Sequence, residues 1–144
     1  MKKYFHLLLL FVLLITINGQ VQSQNTDNPF FNNWETPFQT PPFDEIKTEH
    51  YLPVYEEGIR LQNLEFEVIV NNQDKPTFDN TITAIEKSGQ LFTKVNKVFS
   101  SVNGTDTDDA MQKIAETSTS MLSKHIDDFY LNDKLFERIK NLYD

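Results

Sequence analysis

The sequence predicts an all-α chain: a helical segment that follows an extended strap rich in proline and aromatic residues. Three observations carry that prediction. From Leu52 onward, apolar residues return every three or four positions. No stretch alternates apolar and polar residues long enough to argue for a sheet. Ahead of the helices, Pro29, Pro37, Pro41 and Pro42 interleave with Phe30, Phe31, Trp34, Phe38 and Phe43. Proline removes a backbone donor and biases its predecessor toward extended conformations, so helix is not expected in that stretch.

Taken in order, Lys2 and Lys3 precede an apolar run from Leu7 to Ile17, broken only at Thr16, which Asn18, Gly19 and Gln20 end abruptly. The pattern is that of a secretory signal peptide; the run is too short for a membrane-spanning helix, which needs about 20 apolar residues. Val21 and Ser23 supply slender side chains for cleavage after Ser23, and Gly19 offers a second position. Residues 1–23 are therefore expected to be removed, leaving an exported chain without stable membrane insertion. Residues 24–47 form the strap. Five large aromatics in one extended strip call for a surface to cover them, so the strap is expected to lie across neighbouring helices.

Four helices are expected across residues 48–144. The first starts near Thr48 or Leu52, with Pro53 in its first turn, where the missing N–H costs nothing. Leu52, Tyr55, Ile59, Phe66 and Ile69 mark its stripe; Gly58 is a weak point within it, and Asn71 and Asn72 end it. The second, capped by Asp79 or Asn80, carries Ile82, Ile85, Phe92, Val95, Phe99 and Val102 and stops at Asn103-Gly104. The third runs from about Thr107 to Phe129 with Met111, Ile114, Met121, Leu122 and Ile126 on its apolar side; Asp108 and Asp109 complement its positive end. The fourth follows Asn132 or Asp133 and carries Leu135, Phe136, Ile139, Leu142 and Tyr143. Its apolar period is still running at Asp144, as in a chain truncated within an element, although a natural terminal helix would look the same.

Composition narrows the chemistry. The 144 residues contain twelve Phe, five Tyr and one Trp, enough to imply a packed core. There is no Cys, which excludes disulfides, thiolate metal sites and a cysteine nucleophile. The formal charge is −8, with no basic stripe to relieve it, so nucleic acid is not an expected partner. Beyond the leader and its His6, only His50 and His125 could serve as imidazole ligands, and neither begins a His-Glu-x-x-His helix. His125 with Asp128 makes two potential ligands at best. The pairs Glu56-Glu57, Asp108-Asp109 and Asp127-Asp128 diverge around their helices as adjacent residues must. No Gly-x-Ser-x-Gly and no phosphate-cradling glycine loop occur. No catalytic, cofactor-binding or metal-binding residue is thus assigned within this chain.

Three phrases carry a resemblance: NPFFNNWETPFQTPPFDEIKTEHYLPVYEEGI at 28–59, PTFDNTITAIEKSG at 76–89, and HIDDFYLNDKLFERIKNLY at 125–143. Together they resemble the N-terminal region of the thimet-oligopeptidase family of zinc metallopeptidases, and within it the bacterial peptidyl-dipeptidases (dipeptidyl carboxypeptidases). The resemblance implies a helical two-lobed shell around a deep channel that admits short peptides. It also implies a catalytic zinc held by a His-Glu-x-x-His helix and a later Glu, all beyond Asp144. On that reading residues 48–144 are an incomplete piece of one lobe. The piece would help wall the substrate channel, take the remainder of the peptidase chain as its partner and be inactive alone. The export signal fits a periplasmic member. In the competing reading, the chain is a stand-alone exported helical binding module without enzymatic activity. The fragment reading further expects Phe30, Phe31, Trp34, Phe38, Leu135, Phe136 and Ile139 to lean partly on residues outside this chain.

Overall fold

A computed structural model describes residues 27–143. The expected leader at 1–23 lies outside the described residues. Five α-helices account for most of the rest: α1 (Tyr51–Val70), α2 (Ala84–Lys87), α3 (Gln90–Thr105), α4 (Asp109–Tyr130) and α5 (Asp133–Lys140). A π-helical turn, Asp79–Thr83, leads into α2, and three 3-10 turns, Pro29–Phe31, Pro37–Gln39 and Thr48–His50, precede α1. No strand occurs among the described residues, and none of their helices is long and apolar enough to cross a membrane.

Helix α1 is the spine. Tyr51, Val54, Tyr55 and Gly58 are buried along its first half, and Phe66, Ile69 and Val70 along its second. The buried stripe is rotated by about one position from the expected one, leaving Leu52 and Ile59 half-buried at its margin. Gly58 is not a weak point but a close approach. A Cβ there would lie 2.9 Å from both the backbone N and Cα of Phe92, so bare backbone lets α3 settle against α1. The first core forms at that crossing, from Tyr51, Val54, Tyr55, Val95, Val98, Phe99, Met111 and Ile114, closed by Phe30 from the strap. Its rings meet mostly edge to face: Tyr51 with Phe99 at 5.1 Å between centroids, Tyr55 with Phe99 at 5.9 Å. The phenol of Tyr55 donates to Asn96 Oδ1 at 3.1 Å.

The strap reaches this core mainly through its first half, with Ile46 packing against it from the second. Asn28, fully buried, donates from Nδ2 to the His50 carbonyl at 3.0 Å and accepts from the Phe30 N–H, tying the strap to the entrance of α1. Phe30 is 1% exposed, and Phe31 and Trp34 pack partly against the core. Each of the first two 3-10 turns starts on a proline, whose fixed φ suits a first turn position. Phe38 is by contrast 100% exposed, in a pair of left-handed residues with φ of 59° at Phe38 and 55° at Gln39.

The second expected helix is broken. Gly89 adopts φ 67° between α2 and α3, and its N–H donates to Glu65 Oε2 at 2.7 Å. The terminator expected at Gly104 is helical instead; α3 continues to Thr105. At Gly89 the left-handed turn gains a partner on α1, the carboxylate of Glu65. Of the expected caps, Asn132 accepts from the Leu135 N–H at 3.1 Å. At the π-helical turn neither Asp79 nor Asn80 is the cap: the N-cap position is Phe78, without a side-chain bond. Asp108, expected as a charge at the positive end of its helix, also caps it, accepting from the Met111 N–H at 2.7 Å. Helix α5 ends at Lys140, so Leu142 and Tyr143 lie in turns rather than on a continuing stripe.

A second, smaller core joins Phe66 and Val70 of α1 to Phe129 and Leu135, with the Phe66 and Phe129 rings 4.2 Å apart. Phe30 and Leu135 are therefore covered within the chain itself, while Phe38 and Phe136 stay largely exposed.

The close approach at Gly58 makes a prediction with a definite sign. On an exposed helix, Gly→Ala stabilises by roughly 0.5–1 kcal/mol. Here the added methyl meets backbone rather than a flexible side chain, so overpacking outweighs propensity and Gly58→Ala should destabilise by about 1–2 kcal/mol net. Urea denaturation followed by circular dichroism measures the change.

Candidate functional site

Two polar nodes and one surface groove concentrate the chemically distinctive groups. The first node lies between the two cores, where Gln62 interrupts the apolar stripe of α1. Its Oε1 sits 2.9 Å from His125 Nε2 on α4, and its Nε2 donates to Ser88 Oγ at 3.3 Å. Ser88 Oγ in turn donates to the Ile85 carbonyl at 2.7 Å. A side chain at Gly89 would collide with the Gln62 amide at 2.4 Å, so the left-handed glycine also makes room for this network. His125 is buried beside Phe92 and Phe129, and its Nδ1 has no hydrogen-bond partner among the described residues. Burial pushes its imidazole below the ordinary histidine range, and the neighbouring Asp128 only partly opposes the shift.

The second node holds the other end of the molecule. Arg138 of α5 is only 7% exposed and has no carboxylate partner within ion-pair distance among the described residues. Its guanidinium donates to the Asn72 carbonyl at 2.7 Å and to Asn80 Oδ1 at 3.0 Å. Four residues earlier on α5, Lys134 donates to Asn71 Oδ1 at 2.6 Å. Both cations therefore address the C-terminal end of α1, where the helix dipole is negative. Asn80 is shared further. Its Oδ1 also accepts from the Thr77 N–H at 2.8 Å and the Thr81 hydroxyl at 3.0 Å, and its Nδ2 donates to the Lys75 carbonyl at 3.0 Å. Asn80 and Thr81 of the Pro-Thr-Phe-Asp-Asn-Thr stretch 76–81 thus receive Arg138, with the Thr77 N–H fixing Asn80, and that stretch builds structure.

The histidines singled out from sequence stand apart in role. His50 closes the turn before α1, its Nδ1 accepting from the Lys47 N–H at 3.0 Å, while His125 is engaged with Gln62. Of the carboxylate pairs, Asp108 caps α4 and Asp128 pairs with Lys124, and Glu57 is held below the ordinary carboxylate range by its hydrogen bonds to Arg60. Among the described residues, no three His, Asp or Glu side chains converge as a metal site would require. This donor set does not fit a catalytic zinc.

Sequence inspection missed the open groove between the strap and α3, roughly 650 Å³ in volume. Phe31, Trp34 and Leu91 supply its apolar wall. Trp34 is fixed from several sides: its indole N–H donates to the Pro29 carbonyl at 3.0 Å, Phe30 packs on it at 6.0 Å, and Lys94 Nζ lies 4.0 Å over its ring. Lys94 also donates to the Phe30 and Asn32 carbonyls at 3.0 and 2.8 Å, pinning the strap to α3. Partial burial lowers the ammonium below its ordinary range. A lysine 60 positions from the aromatics it clamps gives no local signal, so only the folded chain shows it.

No protein-family model matches the chain. It is similar to the dipeptidyl carboxypeptidase of Salmonella typhimurium, with 39% identity over 112 residues, covering 78% of this chain and 16% of that protein. The dipeptidyl carboxypeptidase of Escherichia coli is 38% identical over 114 residues, covering 79% of this chain and 17% of that protein. The chain thus spans about one-sixth of the length of these relatives. The resemblance read from the three phrases is borne out.

Two predictions follow from the nodes. The folded state holds His125 below its unfolded value, so it binds fewer protons than the unfolded chain over that interval. This contribution is complete above an unfolded pKa near 6.5 and is lost as pH falls below it toward the folded pKa. The thermal midpoint should accordingly drop on acidification, and His125→Gln should flatten that part of the profile. At the other node, Asn80→Ala removes one of the two close acceptors of a buried guanidinium and should destabilise by about 2–3 kcal/mol, measured by urea unfolding. Combining it with Arg138→Met should cost less than the sum of the two single changes.

Proposed function

We propose that this chain, homologous over most of its length to the bacterial dipeptidyl carboxypeptidases, is a piece of an exported zinc-dependent peptidase of that activity. The observation that carries the reading is identity of 38–39% over 112 and 114 aligned residues. In this reading the segment helps wall a channel for short peptides, and the zinc and its ligands belong to other parts of the protein. The support within the chain is the use of its polar groups: His50, His125, Arg138 and Asn80 are engaged in holding helices together. Bound to residues elsewhere, zinc would activate the water that attacks the peptide bond. The basic, apolar leader at 1–23 supports export, and a periplasmic location is part of the proposal. The remainder of the peptidase is the proposed partner.

One observation favours a second reading, a self-standing helical binding module. Both cores are closed by residues of this chain, with Phe30 and Leu135 buried.

A chimera tests the first reading. Residues 28–143 would replace the aligned segment of the Escherichia coli enzyme, and dipeptide release from short peptides would be followed by mass spectrometry. A folded chimera that retains release within about tenfold of the parent supports the reading, since a wall segment outside the chemistry leaves the transition-state contacts in place. A folded chimera that releases none refutes it, as does dipeptide release by the 144-residue chain alone.

A further inference from the structure

We infer that the groove between the strap and α3 is a binding site for a short extended peptide of neutral or acidic character. The inference rests on the peptidase reading for its class of ligand, and on the groove's own chemistry for its location. The volume, roughly 650 Å³, falls within the range of small-ligand sites and accommodates a few residues of extended chain. Its wall is aromatic and rigid. Trp34 is held by a hydrogen bond, an edge contact and a cation on its face, so little ordering remains to be lost when a side chain packs against it.

The rim matches a peptide backbone. Asn32, Asn33, Gln39 and Gln90 all line the groove, and each carries a primary amide. A primary amide offers an acceptor and donors together, the combination that pairs with the C=O and N–H of another chain. Gln90 commits one N–H to the Lys87 carbonyl, while the side chains of Asn32, Asn33 and Gln39 make no hydrogen bond within the described residues. Those groups are free to exchange water for a ligand.

Charge decides which peptides fit. The chain carries a net −8, yet no Asp or Glu lines this groove. Its charged lining residue is Lys94, with the exposed Lys97 three positions further along α3. Neither forms an ion pair among the described residues. A local positive potential in an acidic molecule favours neutral and anionic peptides and disfavours cationic ones.

Trp34 is the one tryptophan of the chain, so its emission reports on the groove directly. The 144-residue chain would be titrated with three capped tripeptides: alanine–phenylalanine–alanine, the same with both alanines replaced by glutamate, and the same with both replaced by lysine. Saturable changes in emission are expected for the neutral and acidic peptides, with the basic one at least about threefold weaker at low salt. Gln90→Ala and Asn33→Ala lie on exposed positions and should keep their far-UV circular dichroism while weakening binding about three- to tenfold each, the equivalent of one hydrogen bond. No saturable change with any peptide, strongest binding by the basic peptide, or unaltered affinity in both variants would overturn the inference. Failure of the chimera to release dipeptides would leave these binding results standing, so the two readings fail separately.

Discussion

The contact between Gly58 and the backbone of Phe92 sets the geometry on which the rest of the chain depends. Because a glycine faces α3 there, α1 and α3 approach at backbone distance, and the rings of Tyr51, Tyr55, Phe92 and Phe99 interleave around the crossing. Everything else is referred to α1. The strap seals one end of the crossing with Phe30, α4 closes it with Met111 and Ile114, and α5 packs against the far end of the same helix. Between its two cores the spine carries Gln62, bonded to His125 and Ser88.

The polar nodes show how an acidic, cysteine-free chain fixes helix positions without disulfides. Arg138 is buried against neutral oxygens, a placement that would be costly in an indifferent environment. It is tolerable because the acceptors sit where α1 exposes its carbonyl end, and because the π-helical turn presents Asn80 and Thr81 to it. His125 solves a similar problem by staying neutral. Its partner is an uncharged amide and its neighbours are rings, so burial favours the form that this site can accommodate. Scaffold and site separate on the same physical ground. Groups whose hydrogen bonds end on other helices hold the fold, and the amides of Asn32, Asn33 and Gln39 along the strap groove are exposed to solvent.

Much of this organisation was legible in the residues, and the physical reason is locality. Helix existence follows from apolar spacing, and N-caps follow from a side chain reaching two or three residues along its own backbone. Asn132 could therefore be assigned as a cap from sequence, and Asp108 as a charge at the start of its helix; the structure makes both of them caps. The kinship to dipeptidyl carboxypeptidases was legible too, in phrases such as Pro76 to Thr81, although not the task those residues perform. A receptor for Arg138 spans 58 positions from Asn80, a distance over which no local rule operates. The strap groove was invisible for the same reason.

The sequence by itself determined that the chain is all-α, where most helices start, and which relatives it resembles, because those properties depend on neighbours a few residues apart. Only the tertiary structure decided which face of each helix is inside and which glycine breaks the chain. Gly104 carried the stronger local stop signal, yet Gly89 takes the left-handed turn because Glu65 on another helix accepts its N–H. Spacing put Phe136 and Ile126 on buried stripes, yet Arg138 and His125 are buried in their place. A buried polar group is favourable only when a partner meets it, and the partners, Asn72, Asn80 and Gln62, reach these positions only once the helices have packed.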